Sequence, residues 1–280
     1  MEEKKKPIFI LGVGAQKAGT SWLHSYLKSL PEVDMGFMKE YHVFDQGIVR
    51  DKTPRRRKRI LEWISSFGPA SEKNLRAKFR RNNHFYFGYF TQLVQRSPKI
   101  SITGDITPSY AALPPEKLRE IKLKLEQRGF RVVVFFLMRD PVERCISSNR
   151  MNARNQIQAN SEDPELEAEI LQRKYKSPAY QLRTRYDITI KNLEQVFSRK
   201  DIFYGFYEEL FTPHTVQRVC GFLDLPFREA KYEEIVNGAK VRSPIPDELR
   251  AEIRKHYAPV YSHLARQFGP DRISKIWRSF

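Results

Sequence analysis

The chain has 280 residues, 40% of them hydrophobic and 30% charged, which suits a globular domain and excludes a disordered or bilayer-spanning one. Lys and Arg number 50 against 33 Asp and Glu, and the net charge of +17 predicts an anionic partner: nucleic acid, an acidic glycan, a membrane surface or a phosphorylated cofactor. Cys145 and Cys220 are too few for a disulfide framework, so the expected compartment is the reducing cytoplasm.

In chain order, Lys4 to Lys6 followed by the apolar run to Ala15 imitates a signal peptide. The run stops at Gln16-Lys17 without a cleavage-site pattern and flows into a helical one, so Ile8 to Val13 is expected as a buried strand. Thr20 to Leu30 has helical spacing. Residues 46–99 are basic and irregular, with the run Lys52 to Arg59 and an aromatic cluster from His84 to Phe90. Arg55 to Arg59 form either a solvated helix face or an anion site. Ile100 to Ile102 is a short strand candidate, and Pro115 to Gln127 a helix leading into the apolar run Arg131 to Met138. Pro141 to Asn152 leaves that strand as a helix, and residues 152–178 are polar with acidic patches at Glu162 to Glu169. Tyr180 to Phe197 is a helical pattern before the strand Asp201 to Phe206, and Pro213 to Leu223 a further helix. Strands alternating with helices, and apolar runs without polar alternation, predict an α/β fold with a mostly parallel sheet. One domain is expected over 1–280, with 46–99 and 152–178 as insertions on the acceptor side. No stretch approaches the ~20 apolar residues of a membrane span.

Gly12 to Trp22 lies between a strand and a helix. A glycine-bearing loop entering a helix turns several N–H groups and the positive end of the helix dipole toward one point, an anion cradle. A nucleotide triphosphatase would read G-x-x-x-x-G-K-S/T. Gly14 and Gly19 have that spacing, but Thr20 stands where the lysine belongs and the lysine is Lys17, inside the loop. A second candidate follows the apolar run 131–138: Arg139 sits at a strand's carboxyl end, Pro141 suits a first helical turn, and Ser147 lies two turns on. A guanidinium fork with a hydroxyl is a good phosphate receptor.

The segment Gln16-Lys-Ala-Gly-Thr-Ser-Trp22 resembles the 5′-phosphosulfate loop of sulfotransferases that use 3′-phosphoadenosine 5′-phosphosulfate (PAPS). The segment from Arg139 through Pro141 and Arg144 to Ser147 is similar to that family's 3′-phosphate motif, R-x-P-x-x-R-x-x-S, and the two stand in the family's order. The nearest motifs are those of heparan sulfate and other carbohydrate sulfotransferases and related bacterial enzymes. The resemblance implies a P-loop-like three-layer fold, PAPS as co-substrate with its desulfated product PAP, and no metal. It places the donor on Lys17, Ala18, Gly19, Thr20, Ser21 and Trp22 at one end and on Arg139 and Ser147 at the other. Tyr207, in a segment resembling the family's Y-E-D-L turn, is implied near the adenine, and Lys240 and Arg242 match loosely a basic loop over the phosphates.

Sulfuryl transfer needs a base for the acceptor proton and cations for the leaving phosphate. Lys39 to Asp45 resembles the E-x-H-F-F-D segment of the carbohydrate-acting members, which implies Glu40 as the base and Lys17 as its electrostatic counterpart. His42 and His84 are the competing candidates. Asp105 to Tyr110 is similar to the family's E-K-T-P-x-Y segment, with Ile106 where some glycan-acting members have lysine. The acceptor is expected to be a small molecule or glycan bearing a hydroxyl or amine, with an anionic one favoured by the net charge and disfavoured by Ile106. Two other classes compete: a nucleotide kinase or ATPase with a degenerate loop, and a basic nucleic-acid-binding protein, for which no zinc, helix-turn-helix or RNA-binding signature is present.

Overall fold

A computed structural model of the chain describes residues 5–48, 72–156, 164–233 and 244–280. The basic run Arg55 to Arg59 and the candidates Lys240 and Arg242 lie outside the described residues.

Among the described residues five parallel strands form one sheet in the order β2-β3-β1-β4-β5. They are β1 (Ile8–Gly14), β2 (Val33–Asp34), β3 (Ile102–Ile106), β4 (Arg131–Met138) and β5 (Ile202–Phe206). The chain runs from central β1 to β2 and β3 on one side, then crosses to β4 and β5 on the other. That reversal opens a crevice at the carboxyl end of β1, where open α/β sheets take their ligands. The helices are α1 (Thr20–Lys28), α2 (Glu72–Arg81), α3 (Asn83–Gln95), α4 (Pro115–Glu126), α5 (Pro141–Gln156), α6 (Pro164–Lys174) and α7 (Pro178–Thr184). After them come α8 (Tyr186–Glu194), α9 (Tyr207–Leu210), α10 (Pro213–Phe222), α11 (Asp247–His256), α12 (Ala258–Phe268) and α13 (Pro270–Ile276), with a 3-10 turn at Pro108–Ala112.

Successive residues of a strand point to opposite faces. Phe135 meets Phe222 of α10, whereas Phe136 meets Tyr186 of α8. Both faces of β4 are therefore covered, which is why its sequence shows no polar alternation. On β1, Phe9 packs edge-on against Tyr86 and Phe90 of α3, so the aromatic cluster read as irregular is the buried face of a helix.

Two other boundaries differ from the expectation. The strand expected at Ile100 to Ile102 runs instead from Ile102 to Ile106 and includes Thr103, Gly104 and Asp105, all buried. The helix expected at Tyr180 to Phe197 is two, broken at Arg185 (φ −75°, ψ 69°), whose guanidinium turns back to Asp187. Among the described residues no helix is long and apolar enough to cross a membrane, and Cys145 and Cys220 are free and buried.

Candidate active site

The loop expected to hold phosphate is built from β1 outward. After Gly14 the Ala15 N–H donates to the Leu137 carbonyl at 2.5 Å, fastening the loop to β4. Lys17 and Gly19 both take left-handed backbone conformations, φ 71° and 83°. For Lys17 this conformation is costly, and such residues concentrate at ligand sites. Gly19 has a second constraint, because a Cβ there would lie 2.3 Å from Leu210 Cδ2 and 3.3 Å from Tyr207 Cδ2. The loop thus lies flat against α9. The first turn of α1 has neither a side-chain cap nor an acidic residue, and its leading N–H groups have no intrahelical acceptor. Their dipole end faces the crevice with no competing anion of its own.

At the end of β4, Arg139 reaches both parts of the expected donor site. Its Nη1 donates to the Lys17 carbonyl at 3.3 Å and its guanidinium carbon lies 4.2 Å from the Tyr207 ring centre. Nη2 is 3.9 Å from Glu143, and the buried Nε has no hydrogen-bond partner. A buried guanidinium nitrogen left without an acceptor is expensive, and an anion is the group that would satisfy it. Ser147 is half-buried two turns along α5. Arg144, also in this motif, is fully buried and faces the Tyr180 ring.

The third part is the segment 39–45, laid across the carboxyl end of β3. The Ile106 N–H donates to the Lys39 carbonyl, the His42 N–H to Thr107 Oγ1, and the Val43 N–H to Tyr110 Oη. From behind, two arginines one turn apart on α2 hold its carbonyls, Arg76 Nε on Tyr41 and Arg80 Nε on His42. His42, at φ 51°, is clasped between two carboxylates, with Nδ1 2.7 Å from Asp45 and Nε2 3.1 Å from Glu40. The other Glu40 oxygen takes Lys39 Nζ at 2.6 Å, and Ser109 Oγ donates to Asp45 at 2.5 Å.

The electrostatics follow. Burial alone would raise Glu40, but the bonds to His42 and the charge and bond of Lys39 outweigh it and lower it to about 2. Burial would lower His42, but Asp45 and Glu40 raise it to about 9, an imidazolium at neutral pH. Asp45 is lowered in the same way, against burial, by His42 and Ser109. His24 on α1 is lowered to about 4 by burial and then by Lys39 and Lys28, and Glu40 opposes that shift, so α1 brings the loop's helix and Glu40 within electrostatic reach.

Of the expected residues, Lys17, Gly19, Arg139 and Tyr207 converge, and Glu40 and His42 flank them across the ends of β1 and β3. Trp22 does not face the crevice. It is 4% exposed, stacks on Tyr26, and donates Nε1 to the Lys231 carbonyl. His84 lies against Arg128, before β4 begins and so at the opposite end of the sheet. Sequence reasoning passed over Ser109, Arg76 and Arg80. The i, i+4 arginine pair was a usable signal, but Ser109's role depends on a fold contact alone.

A parallel sheet with helices on both faces gathers at its carboxyl end a glycine-bearing loop, an arginine at a strand end and a carboxylate–histidine pair, the arrangement of an α/β enzyme. A sequence model described as the Sulfotransferase family matches residues 7–229, and the chain belongs to that family and is a sulfotransferase. Among solved structures it is similar to a sulfotransferase from Alicyclobacillus acidocaldarius, with 19% identity and a TM-score of 0.60 over 95% of this chain and 96% of that one. That likeness establishes a shared fold. It is also similar to the sulfotransferase domain from the curacin biosynthetic pathway (16% identity, TM-score 0.46, 90% and 91% covered). A third is the sulfotransferase domain of the Synechococcus PCC 7002 olefin synthase (14% identity, TM-score 0.47, 92% and 98% covered). No curated protein sequence matches the chain significantly.

Proposed function

We propose that this sulfotransferase takes its sulfuryl group from PAPS and delivers it to an acceptor hydroxyl or amine, with Glu40 as the base. The observation that carries the reading is the meeting of two motifs in one guanidinium. Arg139 holds the Lys17 carbonyl, lies over Tyr207, and keeps a buried Nε without a partner. This is a cradle for a nucleotide with phosphate at both ends. When bound, PAPS supplies the sulfuryl group and a bisphosphate leaving group.

Lys17 and the N–H groups of Thr20 and Ser21 stand where charge grows on the departing 5′-phosphate, and fixed dipoles there need no reorganisation. Arg139 and Ser147 hold the 3′-phosphate, Tyr207 lies beside the adenine, and Ala18 shapes the loop. On the acceptor side, the Glu40 carboxylate takes the proton as the acceptor oxygen or nitrogen bonds to sulfur and the bond from sulfur to the phosphate oxygen breaks. A carboxylate at about 2 is a weak base in isolation. Its proton affinity rises when the acceptor displaces Lys39, and that lysine then becomes free for the transferred group's negative charge. His42, already protonated with both ring nitrogens on carboxylates, orients Glu40 rather than replacing it. The acceptor class favoured by the net charge and by the resemblance of the 39–45 segment is a carbohydrate.

Thermal melts with PAP, ATP and ADP, each without metal, test the donor. A ligand that binds only the folded state adds about 3 kcal/mol at a hundredfold excess over its Kd. PAP should raise Tm clearly and ATP little. A larger, metal-dependent shift with ATP would overturn the reading in favour of a kinase.

A further inference from the structure

The span matched by the family sequence model ends at residue 229, yet residues beyond it reach the donor site's supports. Arg139 and Tyr207 are each followed by a carboxylate, Asp140 and Glu208, and both carboxylates are tied to the segment 261–279. Tyr261 Oη donates to Asp140 Oδ1 at 2.7 Å and the Ser279 N–H to Asp140 Oδ2 at 2.9 Å. Trp277 Nε1 donates to Glu208 Oε2 at 3.1 Å, and the circuit closes where the Asp140 N–H donates to Glu208 Oε1, also at 3.1 Å.

Helix capping does not account for this. As the residue before Pro141, Asp140 caps α5 by accepting from the Val142 N–H at 2.9 Å, and Oδ1 alone does that. The bonds from Tyr261 and Ser279 are additional, and they come from elements far along the chain. Trp277 is 1% exposed and wedged edge-on against Tyr261 and Phe206, so its indole N–H is aimed by packing. The Arg139 carbonyl is also held, by Tyr186 Oη at 3.0 Å. The backbone from which the Arg139 guanidinium springs is thus fixed on both sides.

We propose that Trp277, Tyr261 and the Ser279 backbone are positioning residues that hold Arg139 on the 3′-phosphate of the nucleotide. The inference rests on the reading of Arg139 as the 3′-phosphate ligand. A support of this kind sharpens affinity without touching the ligand, as outer-sphere partners do for bound ions.

The test is calorimetric binding of PAP and of adenosine 5′-monophosphate, which lacks the 3′-phosphate, to the wild type and to Trp277→Phe, Tyr261→Phe and Arg139→Ala. Tyr261→Phe removes only the hydroxyl that donates to Asp140, and Trp277→Phe removes the indole N–H with part of the ring while keeping an aromatic group in the packing. The preference for PAP over the monophosphate should fall about tenfold in Trp277→Phe and less in Tyr261→Phe. It should collapse in Arg139→Ala. If Arg139→Ala keeps the wild-type preference, the nucleotide reading itself is wrong. If that variant loses the preference while both aromatic variants retain it, the positioning role is overturned. Proportional weakening of both nucleotides with a lowered Tm would also overturn it, because that is what a merely structural role produces.

Discussion

The proposed donor and acceptor halves of the site are built on different principles. The donor half, at the ends of β1, β4 and β5, is mostly backbone: a loop with left-handed Lys17 and Gly19, a bare helix N-terminus, and one guanidinium. The acceptor half, at the end of β3, is a chain of charges in which Lys39, Glu40, His42, Asp45 and Ser109 each hold the next. Backbone donors keep their polarity whatever the pH, whereas a charge chain is only as firm as its protonation states. The donor half should therefore be robust to pH, and the acceptor half sensitive to it.

A large effect should come from breaking the proposed donor half. Lys17→Ala removes the cationic side chain of the loop and should lower kcat/KM by about 10²–10³-fold, with the loss mainly in kcat, as measured with PAPS and any accepted alcohol. A loss confined to KM would assign Lys17 to ground-state binding alone.

A smaller effect sharpens the acceptor half. His42 is raised from 6.5 to about 9, so its bonds stabilise the fold fully below about pH 6.5, and that stability drains away as pH rises through about 9. Asn tolerates the left-handed backbone at this position. Relative to His42→Asn the wild type should be more stable by about 1–2 kcal/mol at pH 6, allowing for screening of partly exposed groups. The gap should narrow steadily toward pH 9 in denaturant melts. A gap constant across that range would mean that packing, not charge, holds the segment 39–45.

The same contrast explains what the sequence disclosed. The proposed donor contacts come from contiguous stretches, 16–22 and 139–147, because a loop wrapping one phosphate uses neighbouring residues. Strands β1, β4 and β5 were legible because burial on both faces leaves an unbroken apolar run. Strand β3 was displaced in the reading because Thr103, Gly104 and Asp105 look like a turn. Asp105 is nonetheless fully buried, raised to about 6 by burial, and satisfied by Thr107, Tyr86 and Tyr110. Thr107 and Tyr110 come from the adjoining 3-10 turn, but no local pattern announces Tyr86, which α3 brings from 19 residues upstream. The same holds for Ser109 beneath Asp45 and for Trp277 behind Glu208, whose roles exist only once the sheet has brought them together. The place of Trp22 in a motif likewise says nothing of which way its ring points, and only the fold shows it stacked on Tyr26.

The central claim is that the two halves are separable, with donor binding independent of the base. Glu40→Gln tests it most directly, by PAP calorimetry and turnover on the same preparation. Separable halves predict a PAP Kd within about twofold of wild type and a kcat lower by about 10²–10⁴-fold. Retained turnover would remove Glu40 from the chemistry, and a lost PAP site would show that the halves are one.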